Sequence, residues 1–231
     1  MISDKHKFIY VHIPKCGGTY VTNHLLPFSE DYGRGDIGKK TSDSIMVRRP
    51  SDEDHGFWGM DYMHANVKRL HEFMGEEEFQ QYFSFATIRN PWERLVSVTA
   101  WGEPTILEGM PHNKEEFYNN VQPSSDYVGM KAHILDLNED FFWSTAPAQH
   151  YLLDKRGNLG VDYVFDVSNM LSGLDTVCNQ IGIGLGLERR KHNISKHRHY
   201  SHYYDNELRD YVAKMYAWEI KTFGYKFEDR R

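Results

Sequence analysis

Apolar residues along the chain follow two patterns. Three short runs are almost continuously apolar, β-branched or aromatic: Lys7 to Ile13 (KFIYVHI), Phe83 to Ile88 (FSFATI) and Val161 to Val167. Runs of this length, bounded by polar or turn residues, predict buried strands. Between them the apolar positions recur at helical spacing. Tyr20 to Leu26 follows the first run. Tyr62 to Met74 puts Met63, Val67, Leu70 and Met74 on one face, and Gly75 ends it. The segment RNPWERLVSVTAW opens with Pro91 at a first helical position, and Asn90 and Glu93 have capping-box spacing. Asn169 to Gly182 reads as a helix, as do short stretches near Glu115 and Ala148. Asp205 caps a last helix with Leu208, Val212 and Met215 on one face. Alternating strands and helices predict an α/β fold, a central mainly parallel sheet flanked by helices. Residues 28–60 are rich in Gly, Asp and Ser and read as a long surface excursion. The 231 residues suit one domain spanning 1–231.

Composition narrows the class. Apolar residues at 40% and aromatics at 14% are enough for a packed core. A net charge of −6 excludes general affinity for nucleic acid or anionic membrane, so any anion must be held in a local basic pocket. The two cysteines, Cys16 and Cys178, imply no disulfide framework and lead us to expect a reducing, cytoplasmic setting. No stretch approaches the roughly 20 apolar residues of a membrane span, and MISDKHK lacks a signal peptide's apolar core. No feature specifies an oligomeric state.

Two segments carry chemistry. The first is strand–HIPKCGGT–helix, His12 to Thr19. Gly17 and Gly18 let backbone N–H groups close around an anion, and the following helix presents its positive end. Lys15 adds charge and Thr19 a hydroxyl, which together make a phosphate cradle. A Walker A loop needs its lysine after the second glycine; here Lys15 precedes both, which disfavours an ATPase or kinase. The second segment is Arg89 to Ser97. Arg89 lies at a strand end, and Arg94 and Ser97, three apart, share a helix face. A guanidinium, a hydroxyl and a helix start suit a second phosphate. By itself this segment reads better as a surface arginine paired with Glu93 and a structural capping box.

HIPKCGGT followed by RNPWERLVS closely resembles the family of sulfotransferases that use 3′-phosphoadenosine 5′-phosphosulfate (PAPS), above all its carbohydrate-type, heparan- and chondroitin-modifying branch. The stretches HANVKRLHEFMGEEEFQQYFSFATIRNPWERLVS and HNISKHRHYSHYYDNELRDYVAKMYAWEIKTFGYKF extend the resemblance. It implies a P-loop NTPase-like sulfotransferase fold and in-line sulfuryl transfer, with adenosine 3′,5′-bisphosphate leaving. The implied acceptor is a hydroxyl or amine on a carbohydrate or small molecule. It also implies a 5′-phosphosulfate site at Lys15, Cys16, Gly17, Gly18, Thr19 and Tyr20, and a 3′-phosphate site at Arg89 and Ser97. Cys16 stands where Thr is common in the family, and a thiol in such a loop is a candidate for reactivity.

An acceptor hydroxyl needs a general base near neutral pH. His64 is the first candidate, because it opens the helix leading to the second motif and the family tends to carry a histidine there. His55 and Asp61 are rivals, and Glu93 a weaker one. Residues 189–199 (RRKHNISKHRH) hold five Lys or Arg and no acid. They read as a lid over the nucleotide's phosphates, with Lys196 and Arg198 the contacts. His192, His197, His199 and His202 have no Cys or clustered carboxylate beside them, so no zinc site is expected and the reaction needs no metal. Two readings remain beside this one: a phosphotransferase, or a non-catalytic nucleotide-binding module, on the same fold.

Overall fold

The predicted strands pair side by side. β2 (Phe8–Val11) lies parallel to β3 (Phe83–Ile88), with Phe8 opposite Phe83 and Val11 opposite Ala86. β3 lies parallel to β4 (Tyr163–Asp166), with Phe85 opposite Tyr163. A two-residue strand, β1 (Ile2–Ser3), adds antiparallel to β2, giving the order β1-β2-β3-β4. This computed structural model describes residues 1–29, 64–99, 145–184 and 198–231. The chain divides into two compact units, Met1–Ile88 with Gln149–Arg189 and Arg89–Ala148 with Arg190–Arg231.

In the first unit every residue of β2 is buried, as in a parallel strand covered on both faces. One core gathers Phe8, Tyr10, Phe85 and Phe165 from the sheet. They meet Val21 and Leu25 of α1 (Gly18–Leu25) and Leu174, Val177 and Cys178 of α6 (Met170–Gln180). Burial in this core pushes the Cys178 thiol up to about 11, so it packs as an inert apolar group. The helix expected from Tyr62 begins later. α2 spans Val67–Met74, and Asn66 caps it by accepting the Arg69 N–H at 2.9 Å. His64 therefore lies in the turn before α2 rather than on it. Gly75, at φ 84°, ends α2, and the short α3 (Glu76–Phe79) leads to β3. α5 (Ala148–Leu152) also forms where short helix was expected.

The second unit is built around α4 (Pro91–Thr99) and α7 (Asn206–Met215). Trp92, Leu95 and Val96 pack against Tyr200, Tyr203, Tyr204, Leu208, Val212 and Tyr216. The Trp92 indole donates to the Arg209 carbonyl at 3.1 Å, and the Tyr204 hydroxyl to the Trp92 carbonyl at 2.8 Å. Asp205 caps α7 by accepting from the Leu208 N–H at 2.7 Å, as expected. The single last helix of the sequence reading breaks at Tyr216, after which α8 (Ala217–Phe223) continues. No helix among the described residues is long and apolar enough to cross a membrane. The segments around Glu115, His55, Asp61 and Lys196 lie outside the described residues.

Candidate active site

The first motif folds as a tight turn between β2 and α1. Lys15 sits at φ 62° and Gly17 at φ 77°. Glycine takes this left-handed region freely; a lysine there is uncommon, and such strain concentrates at functional turns. Gly17 is the cap of α1, and its carbonyl accepts from the Tyr20 N–H at 2.9 Å and the Val21 N–H at 3.3 Å. The amides of Gly18 and Thr19 begin the helix, where no preceding turn supplies acceptors, and the helix dipole adds positive potential. Thr19 is exposed, and Lys15 and Tyr20 are half-buried. The turn therefore fits an anion at its mouth: backbone donors, a cation and an exposed hydroxyl. Cys16 is only 1% exposed, so the reactivity considered for its thiol does not follow; its contribution is backbone shape.

His64 comes to this turn from 52 residues away. Its Nδ1 lies 2.9 Å from the His12 carbonyl oxygen, and the two imidazoles are 4.4 Å apart. The His12 ring also stacks on Tyr10 at 5.5 Å. Its Nδ1 is shut off from solvent with no partner among the described residues. Burial above all, with the neighbouring His64, N-terminus and Lys15 acting in the same direction, holds His12 well below the usual histidine range, so it is neutral. Asn66, which caps α2, also bonds through Nδ2 to His150 Nε2 at 3.3 Å. His150 too is held low, mainly by burial. Neither His12 nor His150 was singled out by its residue pattern. The available signal was His12 itself, a titratable residue closing an otherwise apolar strand run.

The second motif folds differently from its expectation. Asn90 Oδ1 accepts from the Trp92 N–H at 3.1 Å, so the cap forms, but Glu93 does not reach back to complete a box. Its carboxylate instead takes the Arg89 guanidinium at 2.6 Å. Arg94, expected to share a phosphate-facing side with Ser97, is 1% exposed and donates to the Ala146 carbonyl at 2.9 Å. Its charge acts on buried Glu219, which accepts from the Ala148 N–H. Arg94 is thus a core residue rather than an anion ligand. Ser97 is half-buried and Arg198 exposed. His199 caps the short 3-10 turn Tyr200–Tyr203 through Ser201. No group of three or more His, Cys, Asp or Glu among the described residues could hold a metal. The turn, His12 and His64 belong to the first unit, and Arg89, Ser97 and Arg198 to the second.

No curated protein and no solved structure matches the chain. A family model described as "Sulfotransferase family" matches residues 1–226, nearly the whole length. That span includes the Lys15–Thr19 turn, His64 and the Arg89–Ser97 segment. The chain therefore belongs to the sulfotransferase family, enzymes that transfer sulfuryl groups.

Proposed function

We propose that the protein moves a sulfuryl group from PAPS to an acceptor hydroxyl, with sugar hydroxyls the leading class and small-molecule hydroxyls or amines the next. PAPS supplies an activated sulfuryl group on a phosphate leaving group; everything else is positioning and charge. The Lys15 ammonium and the amides of Gly17, Gly18 and Thr19 hold the negative charge that grows on the 5′-phosphate, and the Thr19 hydroxyl fixes its orientation. Cys16 and Tyr20 complete the turn through their backbone. Arg89 and Ser97 bind the 3′-phosphate, an assignment resting on the resemblance of the RNPWERLVS segment to the sulfotransferase family's 3′-phosphate site. Lys196 and Arg198 cover the phosphates. His64 takes the acceptor's proton, since a neutral imidazole suits that step near pH 7. The chemistry needs no metal, and the protein works in the cytoplasm as a single domain.

The observation that carries this reading is the Lys15–Thr19 turn, where positive φ at Lys15 and Gly17 sets backbone amides and a lysine at the start of α1. The test is transfer of labelled sulfate from PAPS to a panel of desulfated heparan, chondroitin and small hydroxylated acceptors. Transfer by the wild type should fall about 10²–10³-fold in Lys15→Ala, the usual cost of a lost oxyanion-stabilising donor. His64→Ala should cost about 10²–10⁴-fold in kcat with donor affinity unchanged. Near-normal turnover in either variant removes that residue from the mechanism.

A further inference from the structure

Gly18 was read from sequence as a glycine that lets the backbone approach an anion. The space its missing side chain leaves is in fact taken by protein. A Cβ on Gly18 would fall 1.7 Å from His12 Nε2 and 2.3 Å from its Cδ2. The His12 imidazole is thus wedged against the first turn of the anion-binding helix. On its other sides it meets the Tyr10 ring and the His64 ring. The His12 carbonyl also meets His64 Nδ1 at 2.9 Å. A carbonyl oxygen only accepts, so Nδ1 of His64 carries the hydrogen and the lone pair of the neutral ring is on Nε2.

We propose that His12 is the positioning residue of the site: its carbonyl fixes the His64 tautomer, and its imidazole, seated in the space at Gly18, holds His64 in register with the phosphate turn. This rests on His64 being the base. Its content is different: the nitrogen that takes the proton is Nε2, and Gly18 is required by His12 rather than by the donor. No charge or metal is needed for the wedge, because His12 is neutral and its Nδ1 is sealed from solvent. A base with a fixed tautomer and a fixed ring plane needs no reorganisation before it accepts a proton.

The tautomer is measurable without an acceptor. In protein labelled with ¹⁵N-histidine, with His64 assigned by loss of its signals in His64→Asn, the neutral ring should show a protonated-type Nδ1 and an unprotonated-type Nε2. His12→Ala keeps the backbone carbonyl but removes the imidazole that holds the His64 ring against it, so the two His64 signals should move partway toward averaged positions. A wild-type Nε2–H tautomer overturns the role given to the His12 carbonyl, and unchanged His64 signals in His12→Ala overturn the role given to its imidazole. A second measurement addresses Gly18, using calorimetry with adenosine 3′,5′-bisphosphate and circular dichroism to confirm folding. Gly18→Ala should weaken binding at least about tenfold, because the methyl overpacks the wedge. His12→Ala/Gly18→Ala should return to within about threefold of His12→Ala, since the clash is a pairwise term. A double variant no better than Gly18→Ala would mean that the bound anion, not His12, needs the glycine. A wild type that fails to bind the bisphosphate would instead break the PAPS reading, leaving the tautomer result to stand or fall alone.

Discussion

The Lys15–Thr19 turn and the Arg89–Ser97 segment read alike in sequence, since each follows a strand with a cation, a hydroxyl and a helix start. They fold into different things. The turn spends two positive-φ residues to present backbone donors at the start of α1, and it keeps Thr19 at the surface. In the second segment both arginines are already engaged by protein: Arg89 by Glu93 at 2.6 Å, and Arg94 by the Ala146 carbonyl within a buried setting. A cation in a motif becomes an anion ligand only after its intramolecular partners are counted. The donor contact at Arg89 thus has to compete with a carboxylate, whereas the contact at the turn's amides competes with nothing of opposite sign within the turn.

The sharpest way to break the comparison is at Arg94. If it belongs to the core, Arg94→Met should cost about 3–5 kcal/mol of stability at pH 8, the usual loss when one member of a buried charge pair is removed. Bisphosphate affinity of the folded fraction should be unchanged. Near-normal stability with weakened binding would return Arg94 to the phosphate.

Its neighbour Glu219 gives the next largest effect. Burial, opposed by Arg94, pushes its carboxyl from the ordinary 4.5 up to about 7. The folded state therefore holds a proton that the unfolded state has lost across that window. Stability from this group is fully present below about 4.5 and is lost as pH rises to about 7, a swing of about 3 kcal/mol at one pKa unit per 1.4 kcal/mol. Glu219→Gln keeps an acceptor for the Ala148 N–H and cannot titrate. Denaturant melts at pH 5 and pH 8 should show the wild type losing ground to Glu219→Gln at the higher pH. Parallel curves would show that Glu219 does not titrate there.

The smaller effects lie at Arg89. Arg89→Ala should weaken bisphosphate binding by about 1.5–3 kcal/mol, the range for a charge-assisted contact. Glu93→Gln should tighten it by about 0.3–0.5 kcal/mol, the strength of an exposed i,i+4 pair that would no longer compete. If neither variant changes calorimetric affinity, Arg89 is an intramolecular partner of Glu93 and not a phosphate ligand.

The parts of the fold that sequence made legible are those whose burial is local. β2 and β3 are apolar runs covered on both faces, and the Asp205 cap and the Gly75 stop each act within a single turn. Features decided by distant residues were not legible. Arg94 looked like a surface ligand because its partners, Ala146 and Glu219, lie 52 and 125 residues away in sequence. Helical periodicity carried α2 back to Tyr62, while the Asn66 cap starts it at Val67 and frees His64 to meet His12. β1 escaped because two residues show no periodicity at all. The Lys15–Thr19 turn was legible as an anion loop from its residue types. That Gly18 makes room for His12 was not, because it depends on a side-chain direction set by β2.

Two separate anion sites predict that this sulfotransferase recognises a donor carrying phosphates at both the 3′ and 5′ positions. Titration calorimetry of the wild-type protein with adenosine 3′,5′-bisphosphate and with AMP tests it without knowledge of the acceptor. The bisphosphate should bind at least about tenfold more tightly, the difference made by one charge-assisted phosphate contact of at least about 1.4 kcal/mol. Equal affinity for AMP would contradict the account.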